Sequence, residues 1–550
     1  MFSPGFSIVQ YVVLIPSATH VTHRRKKNSQ RRVVEWEGLT TDGRRRRSTF
    51  GAGRGRQDVH CPGRGTTMSA AFRVILACCA AGCCVWRRAA CLSSESTPLY
   101  LRSAYPLWDP KSTPSHSAAE PLLLTPYLRN GNILRAKQLA RVTEVYRPQR
   151  VVSYSGYFTV DDQHNSNLFF WFFPATSLYY ETKAPLILWL EGGPGASAAF
   201  SVFKEIGPFN SSFDGKTYTI DENPLSWHNN NSLLFIDSPV GTGFSFTEHI
   251  DGYATNFTTV GEQLLEALTQ FYTMFPEQRP NPFYIVAESY GGKFALSLAS
   301  LIHNNKTLAN IKIDGIAIGN GFLDPETLLC YGDFLYQIGL VDNNTKQEIN
   351  KLESQGRKAI HDKHFVDAFY AWSGIMSTFI EQTQFPSLYN IIDGDTIPWN
   401  STNTIGDVSY IDLLQTVDSR RALHIGDIEY TSLGVIYYKM IPDFMTSVKE
   451  HLEQLVTSYP ILVYNGQMDL VVAYPLSVNL YSNMKSPYGA DYKKAIRKPW
   501  YVNNKLAGYI KTVGNLTEVM VRNAGHLVSC DRPEILYDLI HKFITKRLDQ

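Results

Sequence analysis

Three side chains far apart in this 550-residue sequence have the types and surroundings that nucleophilic acyl chemistry needs. In NPFYIVAESYGGKFALSLASLIH an apolar run, Phe283 to Ala287, leads into Glu288, Ser289, Tyr290, Gly291 and Gly292 and then into a helical pattern. This is the layout of a nucleophile elbow, a tight strand-to-helix turn that lifts a serine above the edge of a sheet. Small residues on either side of the serine permit the close backbone approach, although Ala287 stands where glycine is the commoner choice. A serine hydroxyl is a weak nucleophile at its ordinary pKa, so it needs a general base, and the base needs an orienting acid. ILVYNGQMDLVV presents Asp469 after one strand pattern, and TEVMVRNAGHLVSCDRP presents His526 after another. Alone, an Asp after a strand is usually a turn residue and a His a structural one. Together with the elbow, in the order serine, acid, histidine, they are expected to form a Ser289, Asp469 and His526 triad.

Acyl transfer also needs donors where negative charge develops. The run PLILWL ends in Glu191, Gly192, Gly193, Pro194 and Gly195, a loop flexible enough to turn backbone N–H groups toward Ser289. A phosphate-binding loop is the competing reading, but no Lys-Ser/Thr follows and the dinucleotide-binding spacing is missing. The sequence has no metal-ligand spacing, and neither metal nor cofactor is expected.

To converge, these residues need a rigid frame. NLFFWFF, PLILWL, SLLFID, FYIVA, IDGIAIG, ILVYNG and TEVMVRN are short apolar runs of the kind buried on both faces of a mostly parallel sheet. Helical patterns alternate with them, notably Thr258 to Phe275 and Gly292 to Ile302. The alternation predicts a doubly wound α/β domain over residues 151–550, with the elbow pointing to the α/β-hydrolase fold. Between about Asp324 and Ile425 the rhythm gives way to polar, helical sequence, which predicts a cap inserted over the catalytic face. Residues 92–150 read as an N-terminal arm with a short amphipathic helix around 130–142.

Charge is distributed unevenly. Residues 1–67 hold 13 Lys and Arg against four acids, whereas from residue 92 onward 36 basic residues face 46 acidic ones. The body therefore offers no electrostatic reason to bind nucleic acid. MSAAFRVILACCAAGCCVWRRAAC, residues 68–91, has the three-part layout of a secretory signal and too short an apolar run to span a membrane, with cleavage expected near Ala90 or Cys91. Two readings of the preceding 67 residues stand: a mispredicted leader before a true start at Met68, or a basic tail before a signal anchor. Seven Asn-x-Ser/Thr sequons, at Asn210, Asn230, Asn256, Asn305, Asn343, Asn400 and Asn515, favour passage through the secretory pathway. Of eight cysteines only Cys330 and Cys530 remain beyond the signal, as one disulfide or as two unrelated buried thiols.

WLEGGPGASA, NPLSWHNNNSLLFIDSPVGTGFSF, AESYGG, GIAIGNGFLDP, YNGQMDLVV and NAGHLVSCDRP, in this order, resemble the serine carboxypeptidase family from about residue 150 to the C-terminus. Ala196, where a cysteine is usual, resembles the vitellogenic-like branch. The resemblance implies Ser289 as nucleophile, His526 as general acid and base, Asp469 as its orienting partner, and the N–H groups of Gly193 and Tyr290 as oxyanion donors. It implies Glu288 and residue 191, with Gly192, as the receivers of a peptide's free C-terminal carboxylate. A carboxyl group binds a carboxylate only when protonated, so acidic pH and a lysosomal or extracellular setting are expected. The family usually has an amide at position 191, where this chain has Glu191. Phe200, Lys204, Glu205 and Leu527 map onto the pocket for the released residue, and Tyr290 with Phe322 onto the other side of the scissile bond. Expected partners are peptides or proteins with a free C-terminus. Acyl transfer or ester hydrolysis on the same triad, and a non-catalytic binding or protective role, are the alternatives that fold alone leaves open.

Overall fold

A run such as LILWL or FYIVAE has no polar side to offer water, so each such segment forms a strand covered on both faces. The computed structural model describes residues 120–142, 151–177, 183–213, 218–305, 311–385, 387–393, 409–485 and 488–548. The leader, the signal and Asn400 lie outside the described residues.

The strands are β1 (Tyr154–Asp161), β2 (Ser166–Phe173), β3 (Leu186–Leu190), β4 (Phe209–Phe213), β5 (Tyr218–Glu222), β6 (Ser232–Ile236), β7 (Phe283–Glu288), β8 (Gly315–Gly319), β9 (Ile461–Gly466), β10 (Lys498–Val502), β11 (Lys505–Val513) and β12 (Leu516–Val521). Ten of them form one sheet in the order β1-β2-β6-β3-β7-β8-β9-β12-β11-β10, and β4 pairs with β5 as a separate hairpin. From β6 through β12 neighbouring strands run parallel, while the pairs at both edges are antiparallel. All seven apolar runs singled out in the sequence are strands of this sheet. Five other strands were not anticipated: β1, both strands of the β4–β5 hairpin, β10 and β11 carry polar or glycine-broken patterns that give weaker signals.

Among the helices used below are α1 (Ile133–Ala140), α2 (Phe257–Met274), α3 (Gly291–Asn304), α4 (Asn343–His361), α5 (Phe365–Thr383), α6 (Ile441–Phe444), α7 (Lys449–Leu455) and α8 (Pro533–Ile544). Asn256 starts α2 by accepting a hydrogen bond from Thr259 N at 2.9 Å, which satisfies one of the orphan amides of the first turn. α3 and α8 cover opposite faces of the sheet. A side chain at Gly292 of α3 would strike Ile318, and one at Gly315 would strike Phe543 of α8. Ile318 and Gly315 are an odd number of residues apart on β8, so they face opposite ways. The described part of the N-terminal arm lies along β1: Leu124 N donates to Tyr157 O at 2.9 Å, and Tyr157 N to Leu122 O at 3.0 Å.

Between β8 and β9 the elements among the described residues are helices, the last of them α7, so helical sequence extends past Ile425 to Leu455. Aromatic rings dominate its junction with the sheet: Trp372 of α5 lies 5.0 Å from Phe444 of α6, and Phe322 lies 5.6 Å from Trp372. Each fully buried ring of this kind removes enough apolar surface from water to contribute roughly 2 to 3 kcal/mol. Cys330 and Cys530 are both free thiols.

Candidate active site

Register brings the site together. Leu190 of β3 pairs with Ala287 of β7, Glu288 with Gly319 of β8, Gly319 with Tyr464 of β9, and Gly466 of β9 with Val521 of β12. Five parallel strands therefore end level and side by side, and the loops beyond them carry Glu191 to Gly195, Ser289, Asn320, Asp469 and His526. Ligands in parallel α/β sheets bind beyond such carboxyl ends.

Ser289 has φ of 56°, a conformation unfavourable for any residue with a side chain. It is held there by its own amide, which donates to Gly319 O at 2.9 Å, and by its carbonyl, which accepts from Phe322 N at 3.1 Å. The close approach requires glycine behind it. A Cβ at Gly291 would come within 2.6 Å of the carbonyl oxygens of Leu190 and Glu191. A Cβ at Gly192 would lie 2.7 Å from Ser289 Cβ and 3.0 Å from Tyr290 N. The Gly192–Gly193 turn is thus packed directly against the serine and the amide that follows it. Gly193 itself has φ of 105°, in the region that favours glycine. The loop is fixed from outside by buried Asp237, whose carboxylate accepts from Ser197 Oγ at 2.8 Å, Ala198 N at 2.9 Å and Phe244 N at 2.9 Å. Burial pushes the Asp237 carboxyl up to about 6 against the pull of those three bonds.

His526 and Asp469 are wholly buried and paired, His526 Nδ1 to Asp469 Oδ2 at 2.7 Å. The second Asp469 oxygen accepts from Val471 N at 2.8 Å and Val472 N at 3.1 Å. His526 Nε2 is buried with no hydrogen-bond partner among the described residues, the free valence a general base requires. Asn320 links the serine turn to this pair: its Nδ2 donates to Asp469 Oδ2 at 2.6 Å, directly after the Gly319 carbonyl that holds Ser289. Tyr389 stands edge-on to the imidazole, ring centres 4.6 Å apart, and its carbonyl accepts from His526 N at 2.6 Å. Neither Asn320 nor Tyr389 was singled out in the sequence. The first had a signal, an Asn between two glycines after a strand; the second had none.

A cleft opens beside Ser289. Gly193, Ser289 and Tyr290 line its floor with Val471, and Phe322, Trp372, Met376, Leu388, Tyr389 and Phe444 form its walls. Of the residues expected on this side, Tyr290 and Phe322 are both present.

Three buried glutamates form the other feature. Ser201 Oγ lies between Glu191 Oε1 and Glu205 Oε2 in short hydrogen bonds, Trp189 Nε1 donates to Glu191 Oε1 at 3.0 Å, and Ser529 Oγ donates to Glu205 Oε1 at 2.5 Å. Glu191 Oε2 and both carboxyl oxygens of Glu288 are buried without a partner among the described residues. Burial raises the pKa of all three, those of Glu191 and Glu288 well above the ordinary carboxyl value. Glu205 adds to the rise at Glu191, and Glu205, then Glu191, Asp469 and Asp531 add to it at Glu288. A buried carboxyl group without donors, such as Glu288, is far cheaper neutral than ionised, and the close packing of the three favours protonation within the cluster. Sequence reasoning placed Glu205 with the side-chain pocket and missed its pairing with Glu191. The two lie fourteen residues apart, on a strand end and a π-helical turn, Ser201–Glu205.

Of the remaining expected pocket residues, Phe200 and Lys204 belong to the same turn, whereas Leu527 follows His526. Phe200 is buried with its ring 6.4 Å from that of Tyr410. Lys204 is buried, and its ammonium donates to Ser211 O at 2.7 Å, toward the β4–β5 hairpin. Leu527 is buried beside His526. Asn210, Asn305, Asn343 and Asn515 are exposed, and Asn230 and Asn256 partly covered. Among the described residues no cluster of side chains could hold a metal ion, and no helix is long and apolar enough to cross a membrane.

The model of the serine carboxypeptidase family matches residues 144–546. This chain belongs to the serine carboxypeptidase family. It is 44% identical to the venom serine carboxypeptidase of Apis mellifera over 434 residues, covering 78% of this chain and 91% of that protein. With the vitellogenic carboxypeptidase of Aedes aegypti it shares 37% identity, and with the probable serine carboxypeptidase CPVL of Homo sapiens 36%, at the same coverage. Among solved structures it is similar to Kex1(delta)p, a prohormone-processing carboxypeptidase from Saccharomyces cerevisiae, with a TM-score of 0.65, 23% identity, and coverage of 74% of this chain and 96% of that one. That likeness is one of fold, the α/β-hydrolase fold expected from the elbow. Membership of the family makes the chain a serine-type carboxypeptidase, a hydrolase of the peptidase class.

Proposed function

We propose that this serine carboxypeptidase releases the C-terminal residue of a peptide or protein through an acyl-enzyme on Ser289, working best at acidic pH. The observation that carries the reading is the adjacency of Ser289 to Glu288, a wholly buried carboxyl group with two oxygens unpartnered among the described residues, close to Glu191 and Glu205. Protonated, this cluster can donate to the free carboxylate that only a chain end carries, which selects the terminal bond.

In the first half-reaction His526 Nε2 takes the Ser289 proton as Oγ attacks the scissile carbonyl. Asp469 holds the imidazole in the tautomer that leaves Nε2 open and stabilises the imidazolium, while Asn320 and the amides of Val471 and Val472 fix Asp469. The oxyanion receives the N–H groups of Gly193 and Tyr290. The tetrahedral intermediate collapses as His526 passes its proton to the departing amine, the C–N bond breaks, and the terminal amino acid leaves. Water then attacks the acyl-enzyme by the same route and restores Ser289. The aromatic cleft takes the side chain on the acyl side of the bond, and Phe200, Lys204, Glu205 and Leu527 surround the released residue.

The sequons and the signal-like segment support delivery through the secretory pathway, to the lysosome or the cell exterior. The test is direct. A fluorophosphonate should label the protein, and Ser289→Ala should abolish labelling and lower kcat on a blocked dipeptide with a free C-terminus by roughly a million-fold. Turnover of blocked esters without turnover of free-acid peptides would overturn the exopeptidase reading.

A further inference from the structure

A buried cation sits behind the cleft and has no part in the chemistry described so far. Lys293 lies in the first turn of α3, wholly buried. Its ammonium donates to three backbone carbonyls of one turn: Asp443 at 3.2 Å, Phe444 at 2.7 Å and Thr446 at 2.8 Å. These are the carbonyls at and just beyond the end of α6, which a lysine is suited to cap. The ammonium also stands 4.6 Å from the centre of the Tyr290 ring and 5.7 Å from that of Phe322. Tyr290 is tied to the same turn by its hydroxyl, which donates to Asp443 Oδ2 at 2.9 Å. Tyr290, Phe322 and Phe444 all line the cleft, with ring centres 5.0 to 6.4 Å apart.

One side chain thus holds three walls of the acyl-side cleft in a single arrangement. Apolar burial is non-directional, whereas three convergent hydrogen bonds from one ammonium to the carbonyls of 443, 444 and 446 fix the path of that turn. We propose that Lys293 is a positioning residue for specificity: by clamping the 443–446 turn it shapes the cleft for a bulky side chain on the acyl side of the scissile bond. The inference rests on the reading of Ser289 as the nucleophile.

The groups facing Lys293 are Asp443, Asp324 and Tyr290; burial, partly offset by Asp443 and then Asp324, brings the ammonium down to about 7. Above that pH the clamp loses its charge and one donor hydrogen while His526 and Ser289 keep their places.

The experiment uses two diphenyl phosphonates that label the serine, one carrying a benzyl and one a methyl side chain at the acyl-side position, with second-order labelling rates measured for both. In Lys293→Met the benzyl-to-methyl rate ratio is expected to fall roughly ten-fold while the methyl rate stays within about two-fold of the parent. Phe444→Ala, which removes the wall itself, should lower the same ratio. The parent alone gives a second measurement should Lys293→Met fail to fold: its ratio should decline as pH rises through about 7. An unchanged ratio in Lys293→Met, an equal loss of both rates, or a pH-independent parent ratio overturns the proposal. A parent that labels but cleaves no free-acid peptide defeats the exopeptidase reading and leaves the ratio to decide on Lys293; a parent that labels with neither probe defeats both.

Discussion

Glu191 stands where the family resemblance leads one to expect an amide, and its surroundings give that difference a pH dependence. On the proposed reading an amide there would need no proton to donate to a substrate carboxylate, whereas Glu191 and Glu288 donate only when protonated. Burial, and then the neighbouring Glu205, raise the Glu191 pKa, so the proton is retained in acid and lost as pH climbs through the raised value. Glu191→Gln should therefore lower KM for a blocked dipeptide with a free C-terminus near neutral pH, by about ten-fold for each pH unit past that titration. At pH 4 to 5 the variant and parent should bind alike. The same sign applies to stability. A carboxyl group with a raised folded pKa contributes fully below its unfolded value and loses that contribution as pH rises, so the parent should lose more Tm than Glu191→Gln between acidic and neutral pH. Overlapping KM profiles would remove Glu191 from the carboxylate site.

At the scale of elements, the decisive contact is between the end of β3 and the start of α3. The turn after β3 can lie against Ser289 and Tyr290 N only because position 192 has no side chain. Gly192→Ala would drive a methyl group to 2.7 Å from Ser289 Cβ, and the loop would have to withdraw, taking the Gly193 amide with it. Losing one oxyanion donor lowers kcat by roughly 100- to 1000-fold. The triad elements are untouched, so the fall in kcat should persist with a phosphonate or ester probe that carries no free carboxylate and does not depend on the neighbouring Glu191. A normal kcat would show that the Gly193 amide is not a donor. The strand ends that carry Ser289, Asn320, Asp469 and His526 were legible from apolar runs because parallel strands bury both faces. β1, β10 and β11 were not, since their polar or interrupted sequences resemble loops until a neighbour pairs with them.

For the whole molecule, the described residues contain six of the seven sequons, and their surroundings differ. Asn210, Asn305 and Asn343 lie exposed, whereas Asn230 Nδ2, the atom a glycan would occupy, donates to Tyr537 Oη at 2.7 Å on α8. Glycopeptide mapping of the protein expressed in a eukaryotic secretory host should find glycans at the first three and an unmodified Asn230. A glycan at Asn230 would mean that this contact between the β6 approach and the C-terminal helix is absent in the mature fold. N-terminal sequencing of the same material should give a start near Ala90 or Cys91.

The sequence by itself determined the chemistry and the frame: an elbow serine, an acid and a histidine in order, each at the end of an apolar run, and the motifs that mark the family. These are legible because each depends on residue type within a few positions of itself. Tertiary structure alone decided the rest. Glu205 joins Glu191 through Ser201, Tyr389 braces His526 from the helical segment between β8 and β9, Cys330 and Cys530 stay unpaired, and Lys293 reaches carbonyls 150 residues away. Such contacts depend on how strands are ordered across the sheet and on how an inserted segment folds back over it, and neither leaves a local period or spacing in the chain.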